Sequence, residues 1–171
     1  MKSNDFDIDL EYSLIEKDNE IFDNFYKRVF PGVDKIEFFD ALEMQFKGID
    51  KRIWLKGGNS FTIDEKKRRK KYPDILLEIW SNFEKKKPGW LFTCQCDYIV
   101  YAIMPNSKIY MLPSILLKKA FISNRKKWLS YRSIEAKTKD KNTGEYYTTL
   151  NRAIPTKELL TAISKEMEHN F

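Results

Sequence analysis

Residues 48–66 read GIDKRIWLKGGNSFTIDEK and predict two strands joined by a tight turn. Apolar and polar residues alternate on both sides of the turn at residues 57–60, whose glycines and asparagine tolerate positive φ angles. Because successive strand side chains point to opposite faces, the second strand places Thr62, Asp64 and Lys66 on one face. The stretch therefore predicts a β-hairpin that carries ionisable side chains on one face.

A second carboxylate, Asp50, is expected on the same face from the first strand. Three ionisable side chains on a core hairpin are unusual for a purely structural element, because buried charges need partners. Carboxylates bind Mg²⁺, and a lysine beside the ion can orient an attacking water. The pattern therefore favours metal-assisted hydrolysis of a phosphodiester, with a structural domain that has a charged hairpin as the alternative.

The composition predicts one folded domain over residues 1–171. Hydrophobic residues make up 42% of the chain and aromatic residues 15%, which suits a packed core and excludes a disordered chain. The net charge of +6 at pH 7 suits a polyanionic partner. No apolar run approaches the roughly 18 residues of a membrane helix, and no secretory signal is recognised. We therefore expect a cytoplasmic protein without a membrane partner.

Several other chemistries lack the residues that they need. Cys94 and Cys96 are too close in sequence for a usual disulfide, and the single histidine, His169, is too little for a zinc site. The same shortage leaves no base for a serine or cysteine nucleophile. Gly57 and Gly58 lack the remaining residues of a phosphate-binding loop. We expect both cysteines to be small buried residues and no organic cofactor site.

The rest of the chain predicts an α/β (α+β) arrangement, with helical periodicity at both ends and strands between them. A helix is expected from Asp18 or Asn19 to residue 29, and another from Pro113. The strands expected outside the hairpin cover residues 36–46, 90–93, 98–104, 108–112 and 146–149. Residues 74–82 fit a buried strand or a short helix, and Thr156 is expected to cap a last helix over residues 157–168.

Clusters of cations follow the hairpin and suggest contacts with a phosphate backbone. The expected contacts are Lys67, Arg68, Arg69, Lys70, Lys71, Lys85, Lys86 and Lys87. Such contacts position a nucleic acid without reading its sequence. A solvated surface and a nuclear-import signal are the other interpretations of the first cluster. The mixed aromatic and basic residues 125–132 suit either base stacking or packing at a helix end.

The sequence resembles the motif of the PD-(D/E)xK nuclease superfamily, because Asp50 is followed by a hairpin and then by Asp64-Glu65-Lys66. Its core consists of a helix, three antiparallel strands, a helix and a strand. Ile49 stands in place of the proline, which members often lack. Over residues 20–165, the phrases GID, TIDEK, DILLEIWS, KPGW and CDYIVYA also resemble small, mostly uncharacterised phage and bacterial members.

The resemblance implies a restriction-endonuclease-like core, in which helices flank a mixed central β-sheet. It implies that Asp50, Asp64 and the backbone carbonyl of Glu65 hold Mg²⁺, for which Mn²⁺ can substitute. Lys66 would position the attacking water. Glu78 is a candidate third carboxylate, and Gln45 is a weaker candidate near the scissile phosphate.

The expected function is that of a metal-dependent nuclease that cuts DNA rather than RNA in a bacterial or phage-infected cell. A homodimer is expected because two sites can cut two strands. One alternative is a structure-selective junction or flap resolvase. The other is a catalytically silent nuclease-fold phage protein that binds DNA or a host protein.

Overall fold

The computed structural model describes residues 21–140 and 143–168. Its helices are α1 Ile21–Val29, α2 Leu42–Phe46, α3 Trp90–Thr93, α4 Ser114–Ser123, α5 Arg125–Leu129 and α6 Thr156–Lys165. Its strands are β1 Val33–Phe38, β2 Lys51–Leu55, β3 Ser60–Arg68, β4 Asp74–Asn82, β5 Lys87–Pro88, β6 Tyr98–Ile103, β7 Lys108–Pro113, β8 Ser133–Lys139 and β9 Tyr146–Pro155. The fold class is therefore mixed α+β, as the sequence predicts.

A mixed five-stranded sheet with the order β1-β2-β3-β6-β7 lies at the centre. Strands β3 and β6 run parallel, and the other neighbouring pairs run antiparallel. The predicted hairpin is confirmed as β2 and β3, with Gly57 and Gly58 at φ angles of 98° and 88°. A side chain at either glycine would strain the turn, so local chemistry fixes the pairing of these strands.

The two faces of this central sheet pack against different elements. On one face, α1 packs against β2, β3 and β6 in a cluster of Phe22, Tyr26, Ile53, Ile63, Val100 and Ala102. On the other face, β6 joins a larger core through Ile99, Tyr101 and Ile103. We call the face covered by α1 the back and the opposite face the front. Alternation then assigns Lys51, Glu65 and Lys67 to the back, and Arg52, Asp64 and Lys66 to the front.

A second, antiparallel sheet with the order β5-β4-β9-β8 contributes to the larger core. Helices α4 and α6 pack on the same core through residues that include Leu117, Phe121, Leu159 and Ile163. Strand β4 and the short helix α3 are in contact, which brings Glu78 and Trp90 together. These two residues meet the front of β3 close to Lys66.

Two of the expected strands are wrong. Within residues 36–46, β1 ends at Phe38 and a helical turn follows, in which Ala41 O accepts the N–H groups of Met44 and Gln45. Residues 90–93 also form a helical turn, because Gly89 O accepts the N–H groups of Phe92 and Thr93. Both segments are short apolar runs, for which periodicity does not separate a strand from a helix.

The remaining expectations hold with shifted boundaries. Residues 74–82 form a strand, β6 and β7 lie as expected, and α4 begins directly after Pro113. Strand β9 is longer than the expected strand at residues 146–149, and α6 ends at Lys165 instead of residue 168. The expected helix start at Asp18 or Asn19 lies outside the described residues, as does His169.

Candidate active site

Asp50 lies immediately before β2, where the ladder with β3 becomes irregular. Its N–H donates to Ile63 O at 2.8 Å, although the regular register pairs Lys51 with Ile63. Its carboxylate Oδ2 then accepts the N–H of Glu65 at 2.8 Å. The Asp50 side chain therefore replaces a missing strand partner and is anchored beside the Asp64–Lys66 segment.

Asp64 lies on the front of β3 with 1% of its surface exposed. Its Oδ1 accepts a hydrogen bond from Lys66 Nζ at 2.6 Å. Its Oδ2 is buried and has no hydrogen-bond partner in the described part of the chain. A buried carboxylate oxygen without a partner is costly, so this atom is a candidate ligand for a cation.

Lys66 connects the buried carboxylate to solvent. Its side chain is 29% exposed, and its Nζ lies 5.8 Å from the centre of the Trp90 ring. Burial lowers the pKa of Lys66, but the carboxylates of Asp64 and Asp50 outweigh this effect and raise the pKa above its ordinary value. Lys66 is therefore a stable cation at neutral pH.

For Asp64, in contrast, burial outweighs the nearby charges in setting the pKa. Burial raises the pKa of Asp64 to about 8, although the positive charge of Lys66 lowers it; the nearby Asp50 raises it further. A divalent ion beside Asp64 would favour its ionised form in the way that Lys66 does. The carboxylates of Asp50 and Asp64 are thus suitable ligands for a hard cation.

Glu78 reaches the same front face from β4. Its Oε1 accepts the N–H of Trp90 at 3.1 Å. Burial raises the pKa of Glu78, whereas this hydrogen bond and the charge of Lys66 lower it. Among the described residues, no group of three or more His, Cys, Asp or Glu is arranged to hold a metal ion. Mg²⁺ needs only one or two protein carboxylates because it retains several waters.

The Glu65 side chain points to the back of the sheet, as alternation predicts, and enters a buried network. Its Oε1 accepts hydrogen bonds from the Tyr26 hydroxyl at 2.7 Å and pairs with Lys51 Nζ at 2.9 Å. Lys51 also pairs with Asp23 of α1 at 2.7 Å. The network holds α1 against the strands behind Asp50 and Asp64. No motif marks this network in the sequence, although a lysine and a glutamate on the apolar faces of paired strands are a usable signal.

The expected phosphate contacts divide into two groups. The prediction that Arg68 contacts phosphate is wrong. Arg68 is 7% exposed, and its guanidinium donates to the backbone carbonyl and the carboxylate of Asp74. Lys67 is half-buried over the Phe22 ring on the back of the sheet. The exposed members are Arg69, Lys70, Lys71, Lys85, Lys86 and Lys87. Of the eight expected contacts, these six are the ones exposed to solvent.

Other candidate residues are also located by the structure. Gln45 is exposed, and its Nε2 donates to Asp40 O at 3.5 Å, which is a long contact. Trp128 is buried and donates to Glu158, so packing at a helix end accounts for it and base stacking does not. Cys94 and Cys96 are buried free thiols, as the sequence predicts.

The raised pKa of Asp64 predicts how stability depends on pH without metal. Its pKa is about 8 in the folded protein, and about 3.9 is usual for an unfolded chain. Between these values the folded state binds the extra proton, so the free energy of unfolding should fall as pH rises from about 5 to 8. Urea unfolding in EDTA should show this fall.

The matched variant is Asp64→Asn, which cannot ionise at this position. Burial also raises the pKa values of Glu65 and Glu78, so part of the fall should remain in the variant. We expect the slope of unfolding free energy against pH to be clearly smaller than in the wild-type protein. Equal slopes would show that Asp64 does not retain a proton in the folded state.

Comparisons with protein-family models, with curated proteins and with solved structures find no match. No helix within residues 21–140 and 143–168 is long and apolar enough to cross a membrane.

Proposed function

We propose that this chain is a metal-dependent nuclease that hydrolyses phosphodiester bonds, in DNA rather than RNA. The observation that carries the proposal is the buried Oδ2 of Asp64, which has no hydrogen-bond partner among the described residues and lies in a site with Asp50 and Lys66. A purely structural domain has no use for an unsatisfied carboxylate oxygen beside a second carboxylate.

In this proposal, Asp50, Asp64 and the backbone carbonyl of Glu65 hold Mg²⁺, or Mn²⁺ in its place. When held there, the ion would supply Lewis acidity, which would polarise the phosphoryl oxygen and make an attacking water more acidic. Asp50 is anchored for this role by the Glu65 N–H, and Asp64 by Lys66. Glu78 remains the candidate third carboxylate, with one oxygen held by the Trp90 N–H.

Lys66 orients the attacking water and stabilises the negative charge that develops on the phosphoryl group. Because the neighbouring carboxylates raise its pKa, Lys66 serves as a positive hydrogen-bond donor and does not act as a general base. Its ion pair with Asp64 and its position over the Trp90 ring restrict where the ammonium group can lie. The exposed cations at residues 69–71 and 85–87 are proposed to bind the phosphate backbone.

A restriction-endonuclease-like core is part of the same proposal. The β2–β3 hairpin, the parallel strand β6 beside β3 and helix α1 on the back of the sheet support it. The connection from β3 to β6 differs from the superfamily pattern, because it runs through β4, β5 and the short α3. A homodimer in the cytoplasm is proposed with it, since a second site would allow both strands of a duplex to be cut together.

The proposal is tested by incubating the purified protein with plasmid, single strands and four-way junctions in Mg²⁺, in Mn²⁺ and in EDTA. We expect cleavage in both metals and none in EDTA, because without the ion Asp50 and Asp64 have no cation with which to activate an attacking water. Cleavage confined to junctions would identify a structure-selective resolvase. Tight DNA binding without cleavage in either metal would contradict the nuclease and favour a nuclease-fold binding protein.

A further inference from the structure

We propose that Arg52 is a binding residue for the substrate phosphate next to the one that is cut. The inference rests on the proposed nuclease function and deepens it, because it gives the site a phosphodiester strand with a defined path. That path runs from Asp64 along the front of β2, away from the cation clusters that follow the hairpin.

Arg52 lies on the same face of the sheet as the catalytic residues. It pairs directly with Thr62 of β3, and Asp64 is two residues further along that strand. Diagonal neighbours of this kind are about 7–8 Å apart, within reach of a long side chain. Lys51, the preceding residue, is buried among the rings of α1 on the back, so Arg52 must point to the front.

Two aromatic rings hold the Arg52 guanidinium. Its Cζ lies 5.5 Å from the centre of the Phe39 ring and 5.5 Å from that of Trp54. Phe39 is itself fixed beside the site, because its N–H donates to Asp50 O at 2.9 Å. An arginine held in this way loses little conformational freedom when it binds a ligand.

The hydrogen-bond donors of Arg52 are not used by the rest of the described chain. The guanidinium makes ring contacts there but no hydrogen bond or ion pair. A half-buried guanidinium with a full set of donors is matched best by a phosphate, whose oxygens accept the planar fork. The nearest plausible alternative is that Arg52 only offsets the charge of Glu37.

Glu37 is the residue opposite Arg52 on β1. Its Oε2 accepts the Trp54 Nε1–H at 3.0 Å, and its Oε1 lies 3.6 Å from Lys35 Nζ. The pKa of Glu37 is lowered first by the Trp54 hydrogen bond, and Arg52 is the weakest of the contributors. Within the described residues, Glu37 therefore has other partners, and the Arg52 guanidinium has donors left for an external anion.

The test measures binding of fluorescein-labelled single-stranded and duplex oligonucleotides in EDTA, between about 50 and 200 mM NaCl. Arg52→Met should weaken binding about 5- to 20-fold and lower the slope of log affinity against log salt by about one. Arg52→Lys should recover the slope but only part of the affinity, because the planar fork is lost. In Mg²⁺, Arg52→Met should raise KM more than it changes kcat.

Lys56→Met is the matched control, since it removes the same charge from the exposed turn after β2. It should change neither affinity nor slope, and thermal unfolding will show that each variant is folded. Equal binding by Arg52→Met and Lys56→Met would overturn the inference. Recovery of wild-type binding in the double variant Glu37→Gln/Arg52→Met would also overturn it, because Arg52 would then only offset the charge of Glu37. Loss of binding in Arg52→Met without cleavage by the wild-type protein would support Arg52 and contradict the nuclease.

Discussion

Asp64→Asn is expected to reduce cleavage by at least about 10³-fold, the largest effect of any substitution in this protein. Asparagine has the size of aspartate but lacks the negative charge that would hold a divalent ion. Its amide can still meet Lys66, although the charge-assisted hydrogen bond at 2.6 Å is lost. Cleavage rates in Mg²⁺ and Mn²⁺ measure the loss of activity. Electron paramagnetic resonance of Mn²⁺ measures the loss of metal binding separately.

Lys66→Met is the companion variant, because it preserves both carboxylates and removes only the ammonium group. Cleavage should fall about 10²–10³-fold, the usual result of removing one donor to a developing charge. Mn²⁺ binding should remain, since Asp50 and Asp64 are intact. Asp34→Asn, an exposed carboxylate on β1, should leave both properties unchanged. Full cleavage by both site variants would contradict the site assignment.

Gly89→Ala is expected to cause the largest loss of stability. A Cβ at this position would lie 2.3 Å from Glu78 O and 2.7 Å from Glu78 Cγ. Since the first of these atoms belongs to the backbone of β4, the strand and α3 must separate. We expect a decrease of about 2–4 kcal/mol in the free energy of unfolding, measured with urea. Because Glu78 and Trp90 meet here, cleavage by the remaining folded protein should also fall.

Gly32→Ala provides the control for the loss of a glycine. A Cβ at Gly32 would meet nothing within 4 Å. Its unfolding free energy should therefore stay within about 0.5 kcal/mol of the wild-type value. A similar loss in both variants would mean that the close approach at Gly89 is not what limits stability.

The central hairpin was predictable from the sequence because its determinants are local. Two glycines at positive φ fix the turn, and strict alternation then brings Asp64 and Lys66 to one face. Both features depend on neighbours in the chain, which is where sequence patterns are informative. The position of Asp50 was harder, because its carboxylate is fixed by a hydrogen bond across a strand end.

The errors have a common origin in tertiary packing. Arg68 belongs to a run of six cations, and only the folded chain shows that Asp74 turns it inward. Residues 90–93 contain two aromatic side chains and a β-branched one, yet they form a helical turn that packs against β4. Arg52 carries no motif, and its significance depends on two rings that are distant from each other in the chain. In each case a long-range neighbour decides the outcome.

The network of Glu65, Lys51 and Asp23 couples the position of helix α1 to the strands that carry the proposed site. The segments around residues 50–51 and 64–66 carry Asp50, Asp64 and Lys66 on the front and the residues that anchor α1 on the back. A molecule that displaced α1 would remove partners of Lys51 and Glu65, and would leave these charges less well paired. Strands β2 and β3 would then have to rearrange. We therefore expect that an inhibitor bound at α1, on the back of the sheet, would reduce the proposed activity without competing for phosphate.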